Sequence, residues 1–322
     1  MSQLSTQLDH IAQPQQERLA YIEFRLLFLG CVNRADLVRR FGLKESAASR
    51  DLALYKQLAG DNISYDTVDR TYRTGKQLKP LFDYQAQQVL TALAEGFGDD
   101  FVASCSSILP VEQPSRLNTP SVAVLAPISR ALFNGRRLNV TYRSLSSGRT
   151  ERPLIPLTLV DNGLRWHLRA YDLHRDRYAD FVLNRIEQAE ESSTKSDQAQ
   201  LRQQDRDWQQ QLELVLVPHP ALTHPDTIAY EYGMADNQLR LSVRAALAGY
   251  LLRRWNVDCT TDHRLHGPEY HLWLQNAATL QALASDALPN LTLAPGFLPV
   301  GAEQHTPLSE QRAHPETPRG SV

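Results

Sequence analysis

The sequence predicts an α+β protein of several domains, on three observations. Apolar residues at helical spacing fill roughly 16–55 and again 81–97, short alternating strands with turn signals fill 138–186, and strands mix with an amphipathic helix from 212 onward. The 322 residues are 42% hydrophobic and 22% charged, which suits two or three separate cores and excludes a disordered chain. Lys and Arg total 34 against 36 Asp and Glu, a net charge of -2, so any nucleic-acid surface must be a local patch. Cys31, Cys105 and Cys259 stand far apart without metal-ligand spacing, which predicts buried thiols in a reducing compartment rather than disulfides or zinc. With no run of about 18 apolar residues and no leader pattern, the expectation is a cytoplasmic protein with no membrane partner.

The first helix carries an apolar stripe of Leu19, Ile22, Phe24, Leu26, Leu27 and Leu29, and Gly30 breaks it. In NRADLVRRFGLKESAASRDLALYKQL, Asn33 is placed to cap a short helix bearing Leu37, Val38 and Phe41, and Gly42 to close it; a second helix begins near Glu45. Helix, tight turn, helix is the unit that lays its second helix across a DNA major groove, and it is equally a common packing unit. With Ala47, Leu52, Tyr55 and Leu58 turned inward, Lys44, Ser46, Ser49, Arg50 and Lys56 are left for base edges and phosphates. NISYDTVDRTYRTG then reads as a β-hairpin directly after that helix, the position of a wing, with Arg70 and Arg73 available to the DNA backbone or minor groove. Residues 1–79 are thus expected to form a winged helix-turn-helix domain that binds double-stranded DNA.

Leu81, Phe82, Val89, Leu90, Leu93 and Phe97 continue at helical spacing, which predicts a helical connector over 80–119 ending in the prolines of VEQPSRLNTPSVAV. Next come a short helix from about Pro127 to Phe133 and a strand from Leu138 to Arg143. Further strands follow, with turns at Ser147-Gly148 and Asn162-Gly163. About five short strands in some seventy residues predict a small barrel over 120–190. Alternation puts Trp166, Leu168 and Ala170 on a core face and Arg165, His167, Arg169 and Tyr171 on the opposite, outward one. Arg185 is in phase with Phe181 and Leu183 on the returning strand, and Tyr142 and Ser144 are expected to supply hydroxyls nearby, with Ser146 beyond them. Such a set offers forked donors, hydroxyls and a stacking ring to a phosphate-bearing or nucleotide-like ligand. The competing reading is a solvated charged face neutralised by Asp172, Asp176 and Asp180.

Residues 191–211 are polar and read as a linker that becomes a solvated helix from about Asp197; 212–299 alternate strand and helix as a small α+β domain; 300–322 lack apolar periodicity and are expected to be disordered. His219, His224, His263, His266 and His271 have no close carboxylate or cysteine to complete a ligand set, so no metal or cofactor is expected. The chain carries no GxSxG, Walker or HExxH motif, and the expectation is a protein without catalytic activity.

Three segments carry a family likeness: FGLKESAASRDLALYKQL with its wing, TYRSLSSGRTERPLIPLTLVDNGLRWHLRAYD, and FVLNRIE. In their order and spacing over roughly 16–290, the chain resembles the bacterial WYL-domain transcription regulators, most closely the BrxR and CapW group encoded beside BREX and CBASS anti-phage defence systems. The signature stands here as Trp166-His167-Leu168, with His in place of the Tyr that names the family. The resemblance implies that the barrel is Sm-like and SH3-type and that the C-terminal domain is the family's extension (WCX) domain. It also implies a homodimer that represses a defence operon from an inverted-repeat operator. It carries the ligand pocket onto Tyr142, Ser144, His167, Arg169 and Arg185, less securely Ser146 and Tyr171, and implies a nucleotide or nucleic-acid effector. An RNA- or single-strand-binding module whose helix pair merely packs is the alternative.

Overall fold

The computed structural model describes residues 8, 10–95, 117, 119–283 and 289–298. Phe97, Cys105 and the expected tail lie outside the described residues. The chain divides into two compact units, the first ending at Asp205 and the second opening at Arg206.

In the first unit α1 spans Gln13–Phe24 and runs on as a π-helical turn, Arg25–Leu29, which Gly30 closes at φ 82°. Asn33 caps α2, Arg34–Phe41, by a reciprocal pair: its side chain accepts from the Asp36 N–H, and its own N–H donates to the Asp36 carboxylate. Gly42 ends α2 at φ 64°, and α3 follows over Glu45–Leu58. The buried row of α3 is Ala48, Asp51, Leu52 and Tyr55; Ala48 rather than the expected Ala47 completes the three-and-four spacing. Asp51 is held by Arg18 Nε at 2.6 Å and by Gln15, which fixes α3 against α1. The wing is the hairpin β2, Ile63–Asp66, and β3, Thr71–Thr74. A two-residue strand β1, Cys31–Val32, adds to β3 and makes a sheet of order β1-β3-β2, a strand too short to show as alternation in the sequence.

Leu81 and Phe82 are not helical as their spacing implied; the connector helix α4 is Ala86–Glu95. Their backbone N–H groups instead donate to the Glu23 carboxylate at 2.8–3.0 Å, alongside the hydroxyls of Tyr55 (2.7 Å) and Tyr84 (3.2 Å). Glu23 is fully buried. Burial pushes its carboxyl above the usual range, and the four donors pull it partway back.

Helix α5, Val122–Asn134, is longer than expected and tolerates Pro127 in its second turn. It packs on a five-stranded antiparallel sheet: β4 Arg136–Ser144, β5 Gly148–Asp161, β6 Trp166–Asp172, β7 Arg177–Val182 and β8 Ile186–Lys195, ordered β7-β6-β5-β4-β8. The expected barrel is not closed: β7 and β8 are the two edges. The sheet does curl, since the Tyr142 ring of β4 lies 5.1 Å from that of Phe181 on β7 and its hydroxyl accepts from the Val182 N–H. Strand β8 extends past the expected limit at 190; its polar residues are those of an edge strand, not a linker. Arg185 falls in a 3₁₀ turn, Leu183–Arg185, so its strand phase does not apply. Helix α6, Gln198–Gln204, is capped by Asp197 and followed by Asp205.

The second unit opens with α7, Arg206–Gln209. It is built on a sheet of order β10-β9-β11, from β9 Gln211–Pro218, β10 Leu239–Arg244 and β11 Leu272–Leu274, with α8 Pro225–Glu231, α9 Ala245–Arg254 and α10 Ala277–Leu283. Leu214, Leu216, Leu252, Val257 and Leu274 form its core. Gly249 lies where α9 meets the Pro289–Leu293 turn: a Cβ there would stand 1.8 Å from the Asn290 carbonyl oxygen.

Three outcomes are expected. Glu23→Ala leaves four buried donors without their acceptor and should lower the first urea transition, followed by circular dichroism, by about 3 kcal/mol or more. Because the folded state binds the Glu23 proton more tightly than the unfolded chain does, the advantage of wild type over Glu23→Gln should be largest at acid pH. It should shrink as pH rises through the folded-state pKa. Gly249→Ala should cost the second unit at least about 2 kcal/mol by the same measurement, because the clash is with backbone.

Candidate functional site

Two surfaces concentrate the residues marked by their chemistry in the sequence. On α3 the buried row fixes which side is free: Lys44, Ser46, Arg50 and Lys56 are exposed, and Ser49 is half-buried beside them. Lys44 is the residue preceding the helix, where the first N–H groups are unsatisfied within the helix. Among the described residues Lys44, Arg50 and Lys56 form no ion pair, so their charge is available to phosphates. Arg70 is exposed in the wing turn at φ 51°. Arg73 differs from expectation: its guanidinium is engaged by Asp66 at 3.8 Å and by Asp69. The wing therefore presents Arg70 more freely than Arg73.

The other surface is the sheet face carrying His167 and Arg169. Alternation predicted correctly that these two share a face opposite Trp166 and Leu168, but the face is not outward. His167 is 3% and Arg169 5% exposed. Helix α6 lies over it: the Tyr178 hydroxyl donates to the Leu201 carbonyl at 2.8 Å, and Arg202 donates to the Leu157 carbonyl. Arg169 is gripped by two carboxylates. Its Nε and Nη2 donate to the two oxygens of Asp205 at 2.6 and 2.7 Å, and Nη1 to Asp180, its cross-strand partner on β7, at 3.1 Å. Burial pushes the His167 imidazole below its usual range; the carboxylate of Asp180 opposes this, and the charges of Arg165 and Arg185 reinforce it. Arg165 and Arg185 are both half-buried.

The remaining marked residues are dispersed. Tyr142 belongs to the core with Leu138 and Val140 and reaches the site only through its hydroxyl on Val182, whose cross-strand partner is His167. Ser144 and Ser146 lie in the β4–β5 turn, hydrogen-bonded to each other at 3.1 Å, and Ser144 accepts from the N–H groups of Ser146 and Ser147. That turn faces the other end of the sheet, where Ser147 meets Arg152 and Arg175, and Arg152 pairs with buried Asp172. Tyr171 donates to Asp176 and packs against the Tyr178 ring at 5.0 Å. Asp205, the residue that completes the Arg169 cluster, has no signal in the sequence; within a polar run nothing local distinguishes it. On the core side, a cavity of about 470 Å³ is lined by Leu90, Leu93, Phe133, Leu159 and Trp166.

Of the histidines in the second unit, His219 is buried and held in a hydrogen-bond network. His219 Nδ1 accepts from the Ala221 N–H, and Nε2–H donates to Asp258, whose carboxylate also accepts from Thr260 and the Leu265 N–H. Among the described residues no three His, Cys, Asp or Glu side chains are placed to hold a metal ion. No described helix is long and apolar enough to cross a membrane.

Comparison with known proteins covers most of the chain. Residues 14–95 match the BrxR transcriptional regulator winged helix-turn-helix domain, 123–191 the WYL domain, and 211–280 the BrxR transcriptional regulator C-terminal dimerization domain. The chain is 33% identical over 281 residues to the DNA-binding transcriptional repressor CapW of Escherichia coli (strain KTE188), spanning 84% of this chain and 91% of that one. It is 34% identical over 255 residues to the CapW of Stenotrophomonas maltophilia, spanning 76% and 84% respectively. To the CapW of Pseudomonas aeruginosa it is 32% identical over 262 residues, 76% and 83%.

Removal of a cation from a buried ion pair strands its partners, so Arg169→Ala should destabilise the first unit by about 3–5 kcal/mol in urea unfolding. Arg169→Lys should recover only part of that, since a single ammonium cannot reproduce the fork.

Proposed function

Because the chain belongs to the BrxR and CapW family of WYL-domain regulators, we propose that it is a cytoplasmic, sequence-specific DNA-binding transcriptional repressor. Its target is an anti-phage defence operon, and a nucleotide or nucleic-acid ligand at the WYL domain relieves it. The observation that carries this reading is α3: its inner row is locked by Asp51 and Tyr55, and its outer face holds Lys44, Arg50 and Lys56 beside the wing, without counter-ions among the described residues. A helix fixed from behind and cationic in front is what groove reading needs, because phosphate contacts set register and base-edge contacts set sequence. In this reading the second unit pairs two copies, as its match to a dimerization domain supports. Two recognition helices about 34 Å apart, or a multiple, then demand an inverted-repeat operator. The role is non-catalytic.

The effector site is assigned to the sheet of 123–191, read as the strands of an Sm-like, SH3-type barrel. His167, Arg169 and Arg185 take the anionic part of the ligand, with Arg165 added from the structure. Tyr142 adjoins this set through its hydroxyl on Val182, whereas Tyr171, Ser144 and Ser146 belong to the reading at a distance from it. Footprinting of the region upstream of the chain's own operon should show protected half-sites with two-fold symmetry. A uniform, sequence-blind footprint, or preference for single strands over duplex in competition, would select the RNA- or single-strand-binding reading instead.

Arg50→Ala should weaken operator binding by about tenfold and lower the slope of log K against log salt by about one if Arg50 meets a phosphate, with dimerisation unchanged by sedimentation. Arg73→Ala should cost less, because Arg73 is already neutralised within the wing.

A further inference from the structure

We propose that the Nε–Nη2 edge of Arg169 is an anion site that the chain fills with its own Asp205, and that a phosphate-bearing effector takes the site by displacing that carboxylate. This rests on the effector reading above and adds the ligand's point of entry and its competitor. The fork that Arg169 makes, at 2.6 and 2.7 Å to two oxygens of one group, is the arrangement a guanidinium offers equally to a phosphate. Asp205 is not a member of the sheet; it stands at the end of α6, 36 residues along the chain from Arg169. Asp180, by contrast, is on the neighbouring strand and keeps Nη1, so the fork can change partner while Arg169 retains a carboxylate.

The surrounding charge favours the exchange. The charges acting on His167 include the Asp180 carboxylate and the guanidinium groups of Arg165 and Arg185. Among the described residues neither arginine forms an ion pair, and the Arg165 Nε is buried with no hydrogen-bond partner. A phosphate dianion in place of the Asp205 monoanion adds the negative charge this cluster lacks. Breaking a buried ion pair is costly, because one charge is stranded; exchanging one anion for another is not. Asp205 is therefore released when a substitute arrives and retained otherwise. Its release frees the C-terminal end of α6 at the residue where the first unit ends.

The test compares full-length wild type, Asp205→Asn and Asp205→Glu, with pyrophosphate and a 5′-phosphorylated oligothymidylate as probes. Calorimetry reports affinity, and hydrogen exchange reports protection of the amides of 198–205. Asp205→Asn removes the internal competitor and should bind the probes about tenfold more tightly than wild type. Asp205→Glu, which keeps the charge, should stay near wild type. Saturating wild type with probe should raise exchange in α6. Probe binding to wild type with no gain in Asp205→Asn overturns the displacement while the effector reading stands; absence of binding by every variant overturns both. Should Asp205→Asn not fold, wild-type exchange decides alone: probe bound with α6 still protected overturns the proposal.

Discussion

Glu23 joins α3 to the connector that follows residue 80. A carboxylate with no exposure is tolerated only when its lone pairs are filled. Here the donors come from three places: Tyr55 on α3, the Leu81 and Phe82 amides of the connector, and Tyr84 beyond them. Tyr55 in turn accepts from Asn62, which also donates to the Lys79 carbonyl. Tyr84 packs its ring against Phe24 and Phe28 and reaches the hydrophobic cluster under the five-stranded sheet. The seat of α3 and the hydrophobic cluster under the five-stranded sheet are therefore one connected set of contacts. A change in either has a physical route to the other, through groups that cannot be left unpaired.

The same logic recurs wherever charge is buried. Asp51 and Arg18 tie α3 to α1, Arg152 and Asp172 tie β5 to β6, and Arg169 ties β6 to β7 and to the end of α6. Each pair bridges elements that apolar packing alone leaves free to slide, since the hydrophobic effect is non-directional. Such pairs add little net stability over an apolar core. Their contribution is to fix which surface meets which: at α3 the locked inner row decides that Lys44, Arg50 and Lys56 point away from the protein.

Local chemistry is legible in the amino-acid sequence. Asn33, Gly42 and Gly30 stop and start helices through caps and positive φ, so those three residues alone are enough to draw the helix-turn-helix. The turn at Ser147-Gly148 and the alternation through Trp166 likewise set strands of the five-stranded sheet. Non-local coverage is not legible in the same way. Alternation states which residues share a face, and it does so for His167 and Arg169; whether another element lies on that face depends on α6, which arrives from about 30 residues downstream. Asp205 sits in a run of glutamines and charges and has no signature until Arg169 is brought to it. Strand β8 reads as linker because an edge strand with one solvated side is as polar as a loop. The family likeness supplies the order of modules and the repressor reading, which no single stretch of residues carries.

On the proposed reading, the burial of Arg169 also bears on how a ligand moves a repressor. An effector that bound the DNA-bound and released forms equally would shift nothing, however tightly it bound. Moving the population from 1:99 to 99:1 takes a difference of about 5.5 kcal/mol between the forms. An open basic groove offers little such difference, because its arginines are equally available in both. An arginine already holding an internal carboxylate does offer it: the ligand sees one affinity when Asp205 is in place and another when it is not. In the proposed displacement, the discrimination that regulation needs would come from the exchange of Asp205 for the ligand beneath α6.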